Sequence, residues 1–494
     1  MTFRINTKLL IITGLMVIAG HAHAQIFPGY QNSHFAGIHG VSTNPASAAG
    51  TRYKWDVNIV GLDVKAGNTY VSFLKSSVFA PPDKFVRNTD YFYDTLGSGK
   101  QYAWGSIDVM MPSVLYSINT ESSVAFTWRV RGMANGGGIQ TSSANLLADN
   151  FPDNPKYYNK TVADKYGAGM AHGWNEFGLT YARTIRDDYN GRWKAGATLK
   201  FLSGFAAGYG VARDASVLLN NRNSVDITGE AHFGYNRELD DAGDDWRNTV
   251  SLFGNPGVAL DLGIIYEWRP DNDGFGSRDS DDNANWNPDS DDFKARFGVS
   301  ITDIGGISYA KADNNRDLNL DQKGFIVDLA RKQRNESLNQ YLTRVGSYFQ
   351  EIPSKDKFYM NLPTTLNLMA DYNINQRFFI STNAAIALNS FTGDDHKTYA
   401  LTQLQITPRY DINMFGAYLP FQVNRFGQAD AGVVLRAGPL VIGSASLFSN
   451  LIRKELNHAD AFVALRVIPI HFNKGGGGWF RKKARPGIDC PPLP

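Results

Sequence analysis

The sequence predicts an all-β protein: a transmembrane, antiparallel outer-membrane β-barrel of about 14 strands, or 16 if the segments at 209–219 and 223–235 also span. Three observations support this class. Apolar and polar side chains alternate along many segments, the segments run to about 10 residues, and short and long connections follow one another. Strands of that length cross the hydrocarbon when tilted, and short turns face the periplasm in bacterial barrels.

The alternation is clearest in the stretch GVALDLGIIYEWR, which begins at Gly257. Every second residue from Val258 to Trp268 is apolar, whereas Asp261 and Glu267 lie on the opposite face. A soluble sandwich also alternates, but its dry core would not accept such charges. A closed barrel accepts them, because closure leaves no unpaired edge in lipid and turns the polar faces toward a lumen.

The charges that this alternation places in the lumen have both signs. They are Arg129, Arg131, Lys194, Lys200, Asp261, Glu267, Asp371, Asp430, Arg436 and Arg466. An ion-selective pore would favour one sign, so the mixture predicts a lumen crossed by ion pairs. A barrel of this size holds a ligand or a plug, which argues against a general diffusion pore.

The chain divides into four predicted parts. Residues 1–24, MTFRINTKLLIITGLMVIAGHAHA, have the charged start, apolar middle and small-residue cleavage site of a secretory signal. Residues 25–52 form an N-terminal plug segment, 53–472 the transmembrane barrel, and 473–494 a flexible periplasmic tail. An exported barrel belongs in the outer membrane of a Gram-negative bacterium, with outer-membrane lipid around it.

Composition excludes several functions. Without residues 1–24, 47 Lys and Arg face 47 Asp and Glu, which argues against a nucleic-acid partner. Cys490 is the single cysteine, so no internal disulfide forms, and its role stays open. The sequence contains no Gly-x-Ser-x-Gly elbow and no His-Glu-x-x-His pair. We predict no enzyme activity; His172 and His232 are the histidines that a catalytic site in the wall would use.

The sequence indicates no cofactor, with Ca²⁺ in the loops as the alternative. Asp317, Asn319 and Asp321 have the every-second-residue oxygen spacing that hard cations prefer. The segment lacks the bidentate glutamate of an EF-hand, because its twelfth position counted from Asp313 is Gly324. An acidic surface loop is the competing interpretation.

Several segments resemble a known family. They include GVSTNPASAAG from Gly40, NEFGLTYAR at 175–183, LPTTLNLMADYNI at 362–374 and AGVVLRAGPLVIGS at 431–444. The chain resembles uncharacterised outer-membrane barrels of Bacteroidota, related in pattern to FadL-type transporters and to PorV- and PorP-type barrels of type IX secretion. The resemblance implies that Asn44, Pro45 and Ala46 form a turn that leads the plug segment into the first strand.

Two functions follow, and both stay open at this point. The first is a structural or accessory subunit of a larger outer-membrane secretion or assembly complex, with protein partners at the periplasmic face. The acidic insertion at 270–292 and the tail would be its docking surfaces. The alternative is a FadL-like transporter of hydrophobic compounds, with an apolar pocket near the plug and a lateral opening in the wall. Pro112, Pro408 and Pro420 would mark that opening, because proline removes a donor from the strand ladder.

Overall fold

The computed structural model describes most of the chain. The described residues are 28–97, 99–149, 151–188, 190–241, 254–270, 293–313, 315–334, 336, 338–391, 395–467 and 470–471. The predicted secretory signal, the core of the predicted insertion at 271–292 and the predicted tail lie outside these ranges.

Fourteen antiparallel strands form one closed ring. In chain order the first seven are β1 (Tyr53–Asn68), β2 (Lys100–Met110, continued by Ser113–Ser117), β3 (Ser122–Gln140), β4 (Thr161–Asp188), β5 (Gly191–Asn221), β6 (Asn255–Trp268) and β7 (Ala295–Ala310). The second seven are β8 (Lys357–Asn361, continued by Thr365–Asn373), β9 (Phe378–Ala387), β10 (Gln403–Asp411), β11 (Phe415–Tyr418 and Phe421–Asn424), β12 (Ala429–Ala431 and Val433–Ala437), β13 (Leu440–Ser444) and β14 (His458–Arg466).

The ring closes because β1 pairs with both β2 and β14. Gly61 lies opposite Met110 on one side and opposite Ala464 on the other. A short strand, Ile470–His471, extends the pairing of β14 with the start of β1. The sheet therefore has no free edge among these strands, as a lipid environment requires.

The prediction of about 14 strands is confirmed, and the larger count is wrong. The upper half of β5 continues past the ring and pairs with the strand Ser224–Tyr235, Tyr209 lying opposite Gly234. Both segments that raised the count to 16 belong to this outer hairpin. They alternate like spanning strands because both are also half-buried β structure, and sequence alone does not separate the two cases.

The two ends of the barrel differ. At one end, here the short-turn end, connections such as that of β12 to β13 need only Gly438 and Pro439. Gly438 has a φ of 54°, a conformation that glycine adopts without strain. The connection from β6 to β7 also leaves from this end, so the predicted insertion would hang on the same side. In bacterial barrels this side faces the periplasm.

The opposite end, here the long-loop end, carries helices and further strands. Helix α1 (Ile38–Val41) and the 3-10 turn Pro45–Ala48 lie in the plug. The long-loop end carries helices α2 (Lys75–Phe79), α3 (Thr141–Ala148), α4 (Arg237–Asp241), α5 (Leu338–Gly346) and α6 (Leu447–Ile452). It also carries the 3-10 turns Pro155–Tyr157, Val327–Ala330 and Leu388–Phe391. Strands Arg316–Asn319, Gln322–Ile326 and Gln350–Ile352 extend the outer hairpin, whereas Val71–Leu74, Tyr91–Tyr93 and Glu455–Leu456 form a separate small sheet.

The outer surface of the ring is apolar where the sequence alternation predicts it. On β6, Val258, Leu262 and Ile264 are 45–60% exposed, while Asp261 and Glu267 on the inner face are 1% exposed. Such a band suits lipid outside and a polar lumen inside. No helix of the described part of the chain is long and apolar enough to cross a membrane.

Candidate functional site: the barrel lumen

Residues 28–52 form the plug, which fills the short-turn half of the lumen. Tyr30 and Ile38 are fully buried and pack in one apolar cluster with Leu115 and Tyr418 of the wall. The rings of Tyr30 and Tyr418 meet edge to face at 5.7 Å. The next residue after this segment, Tyr53, begins β1.

One side of the plug is held by a buried ion pair. The carboxylate Oδ2 of Asp56 accepts the backbone N–H of Ile38 at 2.8 Å and the Nη1 of Arg466 at 3.0 Å. The same Nη1 donates to the carbonyl of Ala36 at 3.3 Å. Arg466 thus connects the last strand, the first strand and the plug.

The Asn-Pro-Ala turn anchors the other side of the plug to the wall. Oδ1 of Asn44 accepts the N–H of Ala46 at 3.0 Å, which caps the 3-10 turn. Nδ2 of Asn44 donates to the carbonyls of Ile264 at 3.3 Å and Val299 at 3.4 Å. Asn44 has extended backbone dihedrals, as expected before proline. The turn precedes β1, and its side-chain hydrogen bonds to the wall go to β6 and β7.

Two wall glycines make room for this turn, and sequence reasoning missed them. A Cβ on Gly263 would lie 2.1 Å from Oδ1 of Asn44, and one on Gly196 would lie 2.6 Å from the backbone of Pro45 and Ala46. Their place in the sequence could have indicated them, because the alternation puts both glycines on the lumen-facing side of their strands. A glycine at such a position marks a close approach of other backbone.

All the predicted lumen charges are buried inside the barrel. Four of them form a belt above the plug. Arg129, Arg131, Lys200 and Asp261 meet Asp108, Glu176 and Asp303. Nζ of Lys200 lies 2.6 Å from Asp303 and 2.8 Å from Asp261. The belt is therefore a closed network of three bases and four acids.

Of the belt acids, Glu176 stands on the lumen-facing side of the alternation in NEFGLTYAR, whereas Asp108 and Asp303 were not predicted. Asp108 follows the alternation of β2, so the pattern contained the signal. Asp303 has a φ of 61° beside an irregularity in the pairing of β6 with β7, and its N–H donates to Asp261 at 2.7 Å. A bulge adds one residue to a strand and so changes which of the following residues face the lumen. Alternation alone therefore does not place Asp303.

The other predicted charges form separate pairs. Lys194 contacts Glu267 at 2.6 Å, and Asp371 lies 2.7 Å from Arg409. Further pairs are Arg436 with Asp411 at 3.0 Å, Asp371 with Arg296 at 2.8 Å, Asp430 with His458 and Arg453 at 2.8 Å, and Arg466 with Asp56 at 3.0 Å. Buried charges of both signs that pair in this way do not form a path for ions of one sign.

An aromatic layer fills the lumen above the belt. Nε2 of His172 lies 2.8 Å from the hydroxyl of Tyr309, whose ring stacks on Phe358 at 5.4 Å. Above it, Asn135 bonds both the carbonyl and the N–H of Tyr399, at 3.0 and 2.9 Å. Plug, charged belt and aromatic layer therefore occupy successive levels of the lumen.

The two histidines considered for catalysis lie apart. His172 belongs to the aromatic layer, whereas His232 lies in the outer hairpin, where its Nδ1 contacts Asp317 at 3.2 Å.

The residues considered for calcium bond to neighbouring backbone. Asn319 accepts the N–H of Asp321 at 2.9 Å, and Asp321 accepts the N–H of Gly229 at 3.2 Å. Within the described ranges, no group of three or more His, Cys, Asp or Glu could hold a metal ion. Calcium at these residues stays a prediction.

In one stretch of the wall, side chains replace the strand ladder. The ladder of β13 with β14 ends at Gly443 opposite Phe462. Beyond it, α6 lies between residues 429–431 of β12 and 458–461 of β14; these three segments are here called the seam. The N–H of Ala445 donates to Asp460 at 2.7 Å, and that of Ala431 donates to Oγ of Ser449 at 2.8 Å.

Charged side chains close the inner surface of the seam. The carboxylate of Asp430 on β12 accepts a hydrogen bond from Nη1 of Arg453 at 2.8 Å and lies 2.8 Å from Nε2 of His458. Nδ2 of Asn450 donates to the carbonyl of His458 at 3.2 Å. On the outer surface, the apolar side chains of α6 are 39–83% exposed and continue the lipid-facing band: Leu447, Phe448, Leu451 and Ile452.

At the prolines proposed to mark a wall opening, hydrogen bonds still connect the strands, although β2 breaks at Pro112 and β11 breaks at Pro420. The carbonyl of Pro408 accepts the N–H of Leu419 at 3.0 Å, and that of Pro420 accepts the N–H of Gly432 at 3.0 Å. Next to Pro112, the N–H of Met111 donates to the carbonyl of Trp128 at 2.8 Å. An opening at these prolines stays a prediction, since hydrogen bonds of neighbouring residues connect the strands at each of them. The stretch of wall in which side chains replace the ladder is the seam.

A small cavity, open at one side, lies directly inside the seam. Its lining combines seam residues with wall and plug residues: Pro28, Lys65, Ala66, Trp104, Leu401, Gln403, Gln422, Asn424, Gln428, Asp430, His458, Ala459 and Asp460. Trp104 stacks on Phe426 at 4.7 Å beside it. The lining is amphipathic, with an aromatic and aliphatic side facing amides and charges.

The ring, the apolar band and the filled lumen define a plugged transmembrane β-barrel. The chain belongs to a family described as "Family of unknown function (DUF5723)", whose model matches residues 45–445. A comparison with curated proteins finds no match.

Solved structures similar to the chain include two toluene transporters and a FadL homologue. The toluene transporter TbuX of Ralstonia pickettii is 11% identical, with a TM-score of 0.41 over 92% of this chain and 100% of that one. The toluene transporter TodX of Pseudomonas putida is 10% identical, with a TM-score of 0.42 over 92% and 100%. A FadL homologue of Pseudomonas aeruginosa is 11% identical, with a TM-score of 0.38 over 91% and 97%.

Proposed function

We propose that the chain is a transporter that passes hydrophobic compounds across the outer membrane of a Gram-negative bacterium and releases them sideways into the lipid. The observation that carries this proposal is the seam with the cavity directly behind it. The cavity is lined by Asp430, His458 and Asp460 of the seam, so a compound bound there is separated from lipid by one layer of side chains.

A straight route along the barrel axis is less suited to such compounds. It would cross the aromatic layer, the charged belt and the plug in turn. Opening the belt around Lys200 would separate buried opposite charges, which costs several kcal/mol per ion. Opening the seam breaks side-chain hydrogen bonds, each contributing about 1 kcal/mol, and leaves the neighbouring strand ladders intact. It also separates Asp430 from Arg453, but the Arg453 side chain is 31% exposed, so its charge keeps part of its hydration. The sideways route is therefore the cheaper one.

The character of the seam also favours a lipid-soluble cargo. A path that ends among the exposed side chains of Phe448 and Ile452 delivers its contents to hydrocarbon, not to water. Compounds that partition into hydrocarbon gain about 0.8 kcal/mol per buried CH₂ group on leaving. The polar side of the cavity lining indicates that the compounds carry at least one hydrogen-bonding group besides their apolar part.

Uptake of a hydrophobic fluorescent probe tests this function. We expect cells that express the chain to take up N-phenyl-1-naphthylamine faster than cells that lack it. Leu401→Trp should abolish the difference, because Leu401 is buried in the cavity lining and a larger ring fills the space. Leu435→Trp is the matched control on the lipid-facing side of β12. Equal uptake with and without the chain would contradict the proposal.

A second candidate is the accessory subunit of a secretion or assembly complex. It is favoured by the place of the insertion: Trp268 and Phe293, which flank it, both lie at the short-turn end, where periplasmic partners would bind. The resemblance to PorV- and PorP-type barrels of Bacteroidota supports the same function. Affinity purification in mild detergent tests it, because partners that disappear on deletion of 270–292 or 473–494 would establish docking there. A barrel that purifies alone would contradict it.

A further inference from the structure

A short segment outside the ring of strands lies beside the seam. After the strand Val71–Leu74 the chain forms α2, and Pro81 and Pro82 follow its end, because proline has no N–H with which to continue a helix. Residues 75–86 are here called the rim segment. Its large apolar side chains are 41–69% exposed: Val78, Phe79, Phe85 and Val86.

The rim segment is a fixed loop. Asp90 holds both of its ends, because its carboxylate accepts Oγ of Ser77 at 2.6 Å and the N–H of Val86 at 2.8 Å. The carbonyl of Asp90 also accepts the N–H of Leu74 at 2.7 Å, just before α2 begins. Ser77 is buried against this anchor. The apolar side chains on the other sides of the loop are therefore held outside the protein core.

The rim segment is joined to α6, which belongs to the lipid-facing wall. The N–H of Lys75 donates to the carbonyl of Lys454 at 2.9 Å, and its Nζ donates to the carbonyl of Leu451 at 2.7 Å. Phe79 follows Lys75 by four residues, so the two side chains lie on the same face of α2. Phe79 is thus on the side of α2 that faces α6, where Leu451 and Ile452 are 52% and 83% exposed. The apolar outer surface of the wall continues onto the rim segment.

The height of this junction places it at the edge of the hydrocarbon. Trp55 is exposed near the short-turn end of β1. A strand tilted by about 40° climbs roughly 2.5 Å per residue, so an apolar band ~25 Å tall that starts at Trp55 ends about ten residues later, near Lys65. Lys65 lies opposite Asp460 on β14, and α6 is bonded at this level, since Nδ2 of Asn450 donates to the carbonyl of His458. The rim segment, attached at the far end of α6, therefore lies at the level of the lipid head groups.

The composition of the rim segment and its surroundings suits that level. Segments that lie on a membrane surface combine bulky apolar side chains with lysines, whose ammonium groups reach the head groups. Here Phe79 and Phe85 supply the apolar part, and Lys84 and Lys454 are exposed beside them. We propose that the rim segment inserts into the outer leaflet of the membrane beside the seam, with Phe79 among the upper ends of the acyl chains.

Lipid is the occupant that the geometry favours over a protein partner. The exposed side chains of α6 belong to the lipid-facing band of the barrel, and Phe79 extends that band without a break. A protein that covered Phe79 would have to displace lipid from Leu451 and Ile452 as well. Lipid covers all three side chains at once.

Electron paramagnetic resonance of a spin label tests the proposal. In a Cys490→Ser background, the label is attached at Phe79→Cys, and the barrel is reconstituted into vesicles of phosphatidylethanolamine and phosphatidylglycerol. Molecular oxygen concentrates in lipid and nickel ethylenediaminediacetate in water, so the ratio of their collision rates with the label reports its surroundings. The matched controls are Ile442→Cys, 53% exposed on the lipid face of β13, and Ile326→Cys, 52% exposed near the tip of the outer hairpin.

We expect the oxygen-to-nickel ratio at Phe79→Cys to lie several-fold above that of Ile326→Cys and below that of Ile442→Cys. A ratio no higher than that of Ile326→Cys would overturn the proposal and place the rim segment in water or against a protein. Val78→Cys gives the same reading if the Phe79→Cys barrel does not assemble. The result is independent of the transport function, because the measurement contains no transported compound.

Discussion

Asp56 on β1 and Arg466 on β14 lie 3.0 Å apart inside the wall, and both are almost fully buried. The pair joins the first and last strands of the ring, and through Ile38 and Ala36 it also holds the plug. Closure of the barrel and docking of the plug therefore share one pair of charges.

Asp56→Asn should destabilise the barrel strongly. The amide cannot neutralise Arg466, and an unpaired buried charge costs about 3–5 kcal/mol. Urea unfolding in detergent micelles measures the loss. Asp188→Asn is the control, because Asp188 pairs with Arg186 on the surface, where an ion pair contributes about 0–1 kcal/mol. Equal effects of the two substitutions would contradict the anchoring role of Asp56.

Gly263→Ala should loosen the plug. The new methyl group would lie 2.1 Å from Oδ1 of Asn44, so the turn must move at a cost of about 1–3 kcal/mol. Protease cleavage within the plug segment, followed over time, detects the movement. Gly210→Ala is the matched control on β5, since a Cβ there meets nothing within 4 Å. Combining Gly263→Ala with Asn44→Ala should cost less than the two single effects added.

The lumen charges show which features of the barrel the sequence alone predicts and which it does not. Alternation predicted the ring, the buried side of each strand and the lumen charges, because lipid outside and charge inside impose a period of two. It did not predict which charges would meet, since the partners lie on strands distant in the chain. Asp303 pairs with Arg131 across 172 positions at 2.9 Å.

The seam was not predictable for a different reason. Proline removes a donor from a strand ladder, so the sequence predicts an opening at Pro112, Pro408 and Pro420. In the structure, hydrogen bonds of neighbouring residues connect the strands at each of these prolines. The actual interruption follows from the shortness of β13 and the helix after it. In the sequence, ASLFSNLI from Ala445 is as apolar as a strand of the same length. Short apolar runs leave helix and strand ambiguous.

Lys200→Met should destabilise the charged belt. Without Nζ, three acids lose a partner: Asp303 at 2.6 Å, Asp261 at 2.8 Å and Glu176 at 3.3 Å. We expect a loss of about 3–5 kcal/mol in urea unfolding. Raising the salt concentration should change the loss little, because buried pairs are weakly screened. Lys160→Met on the exposed surface is the control; a loss no larger than the control's would disprove the network.

Asp149→Asn tests a cluster at the long-loop end. Burial raises the pKa of Asp149, but hydrogen bonds from Lys156, Tyr157 and Arg87 outweigh it and lower the pKa to about 2. The pKa of an aspartate in the unfolded chain is about 3.9. The stabilisation from ionised Asp149 is therefore fully present above about pH 3.9 and disappears as the pH falls through about 2.

Between those two pH values, wild type should lose roughly 1–2 kcal/mol of local stability that Asp149→Asn lacks at every pH. Amide hydrogen exchange of α3, corrected for the intrinsic rate at each pH, measures this difference. Parallel pH dependences of the two proteins would show that Asp149 contributes nothing there.

Closing the seam covalently tests the transport account most directly. In a Cys490→Ser background, Ala431→Cys with Ser449→Cys should form a disulfide that ties α6 to β12, because the N–H of Ala431 lies 2.8 Å from Oγ of Ser449. Leu366→Cys with Ile386→Cys, a directly opposed pair on β8 and β9, is the matched control. The account predicts that oxidation stops uptake of N-phenyl-1-naphthylamine in the seam variant, that reduction restores it, and that the control is unaffected. Uptake that continues through an oxidised seam would contradict the lateral route.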